Sequence, residues 1–175
     1  MKKGRIIFKE AFLDVDEFTK LQKEFNEETP RSVAVVGCAY LDDFLNKLLK
    51  AVLVEDKKLF KDFVDRLTFE RRITMCYLFG LIDRKIRDDL KIIGNIRNKF
   101  AHDKNLNSFD AKIIRAECEK LNYILEVKWG NVDTPELPRK RYEGAIAYYS
   151  GYLRVIRDTR KRINKKTLSK LNVTE

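Results

Sequence analysis

The stretch DRKIRDDLKIIGNIRNKFAH, residues 83–102, decides the fold class. Asp83 can cap a helix, and Ile86, Leu90, Ile93, Arg97 and Phe100 follow at steps of four, three, four and three. That spacing draws one stripe along one face of a helix reaching about Ala101. Arg97 interrupts the stripe. On a buried face it must either pair with an acid, such as Asp42 or Asp43, or line a cleft, because an unpaired buried charge is costly. His102, the single histidine, follows five residues later. At about 100° per residue the two lie about 140° apart on a continuous helix. They meet only if the helix ends near Ala101 and His102 folds back, or if they converge with their copies in a second subunit.

Working outward, helical signals recur along the chain. Asp14 or Asp16 can cap a first helix reaching about Phe25. Thr29-Pro30 places a capping hydroxyl before a proline at the first helical position. The helix that follows, to about Leu53, carries Val33, Val36, Tyr40, Phe44 and Leu48, widened by Val35, Leu41, Leu45 and Leu49. A short helix is expected near Lys57–Leu67. Another begins after Thr68 and ends at Gly80. Ser108 or Asp110 opens a helix holding Ile113, Ile114, Cys118, Leu121 and Leu125, and the last helix spans about Arg139 to Ile163. The reading is all-α, a bundle of about seven helices, with residues 5–8 open to an extended conformation. A single domain is expected over residues 1–164, with a basic tail over 165–175.

Composition narrows the function. No apolar stretch approaches the roughly 18 residues of a membrane span. The N-terminus lacks a signal-peptide core. A cytoplasmic protein without a membrane anchor is expected. Cys38, Cys76 and Cys118 are far apart, lack a CxxC pattern and stand among apolar neighbours, so they read as buried thiols, and neither a metal nor a cofactor is implied. The net charge is +10, and residues 139–175 carry +8 of it. Charge alone leaves two readings open: a nucleic-acid partner, or a solubilising helix and tail. On the first reading Lys99, Arg154, Arg157 and Lys161 would contact nucleic acid. Tyr142, Tyr148, Tyr149 and Tyr152 stand at helical spacing that favours packing over base stacking.

The run Arg97-Asn98-Lys99-Phe100-Ala101-His102 resembles the Arg-Asn-x-x-x-His signature of the HEPN superfamily. More narrowly, the chain resembles the mannitol operon repressor family, whose members are HEPN-like. The likeness spans about Arg31 to Leu121 and rests on residues 31–43, 69–73, 78–82, 96–102 and 108–110. It departs at Ser32 and Val33, where a glycine is frequent in that family, and the basic C-terminal stretch matches only loosely.

The resemblance implies two functions. One is a homodimeric, metal-independent endoribonuclease of toxin or defence type, with a possible antitoxin partner. The other is a non-catalytic regulator that binds protein or nucleic acid. For the first, Arg97, Asn98 and His102 would be catalytic. Histidine can serve as base or acid in attack by a 2′-OH, which leaves a 2′,3′-cyclic phosphate. Arginine can stabilise charge on the phosphate, and Asn98 can orient either group. One chain offers one histidine, so an acid and a base together require a second copy. Asp103 would neutralise His102 or stabilise the turn. Gly94 is expected to permit close helix approach, with the dimer seam as one such place.

Overall fold

Thr29 and Pro30 open the first described helix as their chemistry dictates: the Thr29 hydroxyl accepts from the Ser32 N–H, and the proline needs no partner at the first turn. A computed structural model describes residues 23, 25–26, 28–123 and 138–160. The described elements are α1 (Pro30–Val52), α2 (Lys57–Asp62), a 3-10 turn (Val64–Arg66), α3 (Phe69–Leu78), α4 (Arg84–His102), α5 (Lys112–Cys118) and α6 (Pro138–Thr159). The fold is all-α, with six α-helices and no strand among the described residues. Most of the expected first helix, the 5–8 segment and the 165–175 tail lie outside them.

Thr68 and Asp83 cap α3 and α4 as their sequence positions predict, and Gly80 takes a positive φ of 64° after α3. Two expectations fail. Neither Ser108 nor Asp110 caps α5: it starts after Ala111 without a side-chain cap, because the Ser108 oxygen is taken by the Asp110 N–H in a local turn. The same helix stops at Cys118 instead of continuing past Leu121. There the backbone N–H groups of Asn122 and Tyr123 turn away from the helical pattern and donate to the Asp89 carboxylate on α4.

Packing centres on α1, α4 and α6. Helix α6 lies most extensively against α1, which also packs on α3 and α4. Its buried residues occupy most of its circumference, including Tyr142, Ala145, Ile146, Tyr149, Leu153 and Ile156. Charge left a solubilising helix as one reading of this segment; α6 is instead a core helix, as the helical spacing of its tyrosines favours. Tyr142, Tyr148 and Tyr149 are buried packing residues, and Tyr142 donates to the Ala34 carbonyl at 2.8 Å. Gly94 does allow a close approach, but of the Phe69 ring on α3 of the same chain, which lies 3.3 Å from where a Cβ would stand.

Asp89 is fully buried. It survives there because it accepts from Asn122 N at 2.8 Å, Asn122 Nδ2 at 2.9 Å, Tyr123 N at 3.0 Å and the Tyr149 hydroxyl. Replacing Asp89 by Ala strands these donors in the core, so a loss of about 3 kcal/mol is expected in urea unfolding. Tyr149→Phe, which removes one donor and leaves three, should lose about 1 kcal/mol. Equal midpoints for wild type and Asp89→Ala would refute the anchoring role.

The three cysteines are free and buried, as their neighbours predict. Burial pushes the Cys76 and Cys118 thiols up from 9.0 to about 12. Between pH 9.0 and about 12 the unfolded chain gives up these protons while the folded chain retains them. The unfolded state then binds fewer protons, so stability falls as pH rises through that window and is fully present below it. Urea midpoints measured across this range should decline less steeply for Cys76→Ala/Cys118→Ala than for wild type.

Candidate functional site

Helix α4 positions the candidate residues, and its course decides which of them can meet. It runs without a break to His102, and the Asp103 N–H still bonds back to the Lys99 carbonyl. His102 therefore does not fold back toward Arg97, and the two stand on different sides of the helix. Beyond it, Asp103 stabilises the turn by accepting from the Asn105 N–H at 2.9 Å. Arg31 closes the same turn from α1: its Nη2 donates to the carbonyl of Asp103 at 2.8 Å and lies 3.3 Å from that of Lys104. The exit of α4 is thus held by a cation at the negative end of the helix.

Arg97 is half-buried and reaches the Cys38 thiol on α1. Burial pushes that thiol up, while the guanidinium beside it pulls the other way. The acids that could have paired with Arg97 are engaged elsewhere. Asp42 binds Arg72 through both oxygens, at 2.6 and 2.7 Å, and Asp43 binds Lys47 at 2.6 Å. Among the described residues Arg97 has no carboxylate partner. It instead lines a groove of about 410 Å³ between α3 and α4, together with Thr68, Phe69, Glu70, Lys91, Asn95 and Asn98.

The remaining sequence candidates are dispersed. Asn98 is exposed on the groove, and His102 is exposed but does not line it. Lys99 is half-buried, with its Nζ 3.7 Å from Glu117 on α5. Arg154 and Arg157 are half-buried on α6, and Arg157 pairs with Asp158 at 2.7 Å. Lys161 lies outside the described residues. The structure thus joins Arg97 and Asn98 in one groove and leaves His102, Arg154 and Arg157 apart from it. Lys91 and Asn95 were not among the sequence candidates. Their signal is the polar row Lys91, Asn95, Asn98, which runs beside the apolar stripe at steps of four and three.

No protein-family model matches the chain, and no curated protein matches it in sequence. Among solved structures, the X-ray structure of the MtlR–HPr complex from Escherichia coli matches with a TM-score of 0.54 and 19% identity. The match covers 78% of this chain and 94% of that one. The chain has an MtlR-like helical fold.

Arg72 and Arg97 make unequal contributions to folding. Arg72 is buried, and besides Asp42 its Nη2 donates to the Asp65 carbonyl at 3.0 Å. Arg72→Met leaves these acceptors unmatched and should cost about 2 kcal/mol, a low figure for a broken buried pair because Asp42 is partly exposed. Arg97→Met removes a cation that no carboxylate holds, and its urea midpoint should stay within about 1 kcal/mol of wild type. A larger loss for Arg97→Met than for Arg72→Met would reverse this division.

Proposed function

We propose that this chain is a non-catalytic regulator that acts by binding a protein partner. The observation that carries the reading is the fold likeness to MtlR, a protein solved in complex with another protein, HPr. The course of α4 supports it. A single chain holds one histidine, exposed at the helix end, while Arg97 turns into a groove that this histidine does not line. One chain therefore does not assemble the acid, base and charge-stabilising group that RNA cleavage needs. No helix among the described residues is long and apolar enough to cross a membrane.

The second reading, a homodimeric metal-independent ribonuclease of HEPN type, is favoured by one specific observation. Arg97 is held half-buried on a groove without a carboxylate partner among the described residues, a use of arginine that folding does not require. Under this reading a second copy supplies the missing histidine.

One paired experiment separates the two. Purified wild type and His102→Ala are incubated with mixed structured RNAs, with and without EDTA, and product ends are analysed. In parallel, the immobilised chain is used to capture partners from an extract of its source cells. The regulator reading expects intact RNA and one protein partner bound in stoichiometric amount. EDTA-resistant cleavage by wild type alone, leaving 2′,3′-cyclic phosphate, would replace it with the nuclease.

A further inference from the structure

We propose that the turn closing α3, Leu78-Phe79-Gly80, docks on the surface of an anionic lipid bilayer. Leu78 is 74% exposed and Phe79 is 50% exposed. They stay outside because of how α3 ends. The Leu81 N–H donates to the Cys76 carbonyl at 2.9 Å, and the Gly80 N–H donates to the Tyr77 carbonyl at 3.0 Å. With Gly80 at a positive φ of 64°, this is the Schellman arrangement, which turns the next residues back against the helix. Leu81 and Ile82 are accordingly buried. The fold thus uses the second apolar pair and presents the first on a backbone that is already fixed, which lowers the ordering cost of binding.

The turn lies at the end of the bundle where α3 stops, α4 starts and α6 stops. A short connection, residues 79–83, joins α3 to α4, and the Arg160 Nη2 just after α6 donates to the Gly80 carbonyl at 3.3 Å. Charge at this end is in positive excess. Helix α4 opens on Arg84 and Lys85 with no acid in its first turn, although cations there oppose the helix dipole. Helix stability does not call for them. The Arg84 side chain is 81% exposed, and its Nε stands 3.7 Å from Asp88, a surface pair that gains little. Asp83 keeps its charge as the cap, so residues 83–88 carry three cations against two acids. Residues 157–175, the stretch that meets Gly80 at Arg160, carry seven Lys or Arg against two acids.

Two projecting apolar side chains beside net positive charge call for an occupant that is anionic and accepts a convex apolar tip. A bilayer with anionic headgroups does both: the headgroups meet the cations, and Leu78 and Phe79 reach the acyl boundary. Either signal alone gives marginal binding, and the two together give a stable surface contact. No helix among the described residues is long and apolar enough to cross, so the contact is with one leaflet. A protein partner fits less well, since side chains that project from a turn need a matching hollow. RNA fits less well too, since Leu78, the more exposed of the pair, offers no plane on which a base can stack. The surface stands beside the protein-binding reading and does not depend on it.

The test sediments the full chain with vesicles of phosphatidylcholine, alone or mixed with phosphatidylserine. Wild type should bind the mixed vesicles and ignore the neutral ones, and added salt should weaken binding. Leu78→Ser/Phe79→Ser should weaken it at least about tenfold. Arg84→Gln/Lys85→Gln should weaken it about tenfold and flatten its salt dependence. All four side chains are exposed, so melting temperatures should match wild type. Insertion of the tip has its own readout: in a Trp129→Phe background, the emission of Phe79→Trp should shift to the blue with mixed vesicles. No sedimentation with phosphatidylserine, equal sedimentation by wild type and Leu78→Ser/Phe79→Ser, or unshifted emission would overturn the proposal. So would a partner captured from cell extract that Leu78→Ser/Phe79→Ser fails to hold while vesicles are ignored, which makes the tip a protein surface. If vesicles are ignored and both wild type and this variant capture the partner, the lipid surface is refuted and the regulator reading stands.

Discussion

The buried carboxylate of Asp89 is the constraint on which the rest of the arrangement depends. An anion with no solvent access persists only where donors surround it, and here they come from two other parts of the chain. The backbone at Asn122 and Tyr123 and the Tyr149 hydroxyl of α6 both converge on one side chain of α4. Once Tyr123 is placed, its hydroxyl donates to the Arg141 carbonyl at 2.7 Å, and it lies 2.5 Å from where a Cβ on Gly144 would stand. Only a residue without a side chain fits there. The position of α6 against α4 thus follows from a polar contact that apolar packing alone would not specify.

Three arginines illustrate how charge is distributed between folding and function. Arg31 spends its guanidinium on backbone carbonyls beyond α4, and Arg72 spends its own on Asp42 and the 3-10 turn. Both join segments that are distant in sequence. Arg97 does neither of these things: it touches a thiol and opens onto a groove. A half-buried guanidinium in that setting gains little for stability.

Most local chemistry was legible in the sequence, the cap of α5 excepted, and most tertiary polar contacts were not. Thr29, Thr68 and Asp83 act as caps because a capping bond spans two or three residues and needs no distant partner. The stripe of α4 was legible for the same reason. Asp89 was not, since beside Asp88 it reads as an ordinary surface acid until the 122–123 corner is brought to it. Helix α6 was legible in part: the helical spacing of its tyrosines favours packing, and Tyr142, Tyr148 and Tyr149 are buried, whereas its arginines left a solvated basic face as an open reading. Charge density along a chain records composition, whereas burial records what other helices do. Half of the candidate site followed the same rule. The angle between Arg97 and His102 could be derived from helix geometry, but the partners of Asp42 and Asp43 could not.

The same rigidity bears on function. Helix α4 is capped at Asp83, tied at Asp89 and closed by Arg31 just beyond His102, so its two ends and its middle are all fixed. Arg97 and His102 then keep their separation unless that helix is broken, at the cost of the bonds that hold the fold together. Joint chemistry between them within one chain would require such a break. Binding requires none, because the groove between α3 and α4 stands on a frame already ordered by Arg72 and Asp89. On this frame the Arg97 and His102 of one chain stay apart, and any joint chemistry between two such groups must be completed by a second molecule.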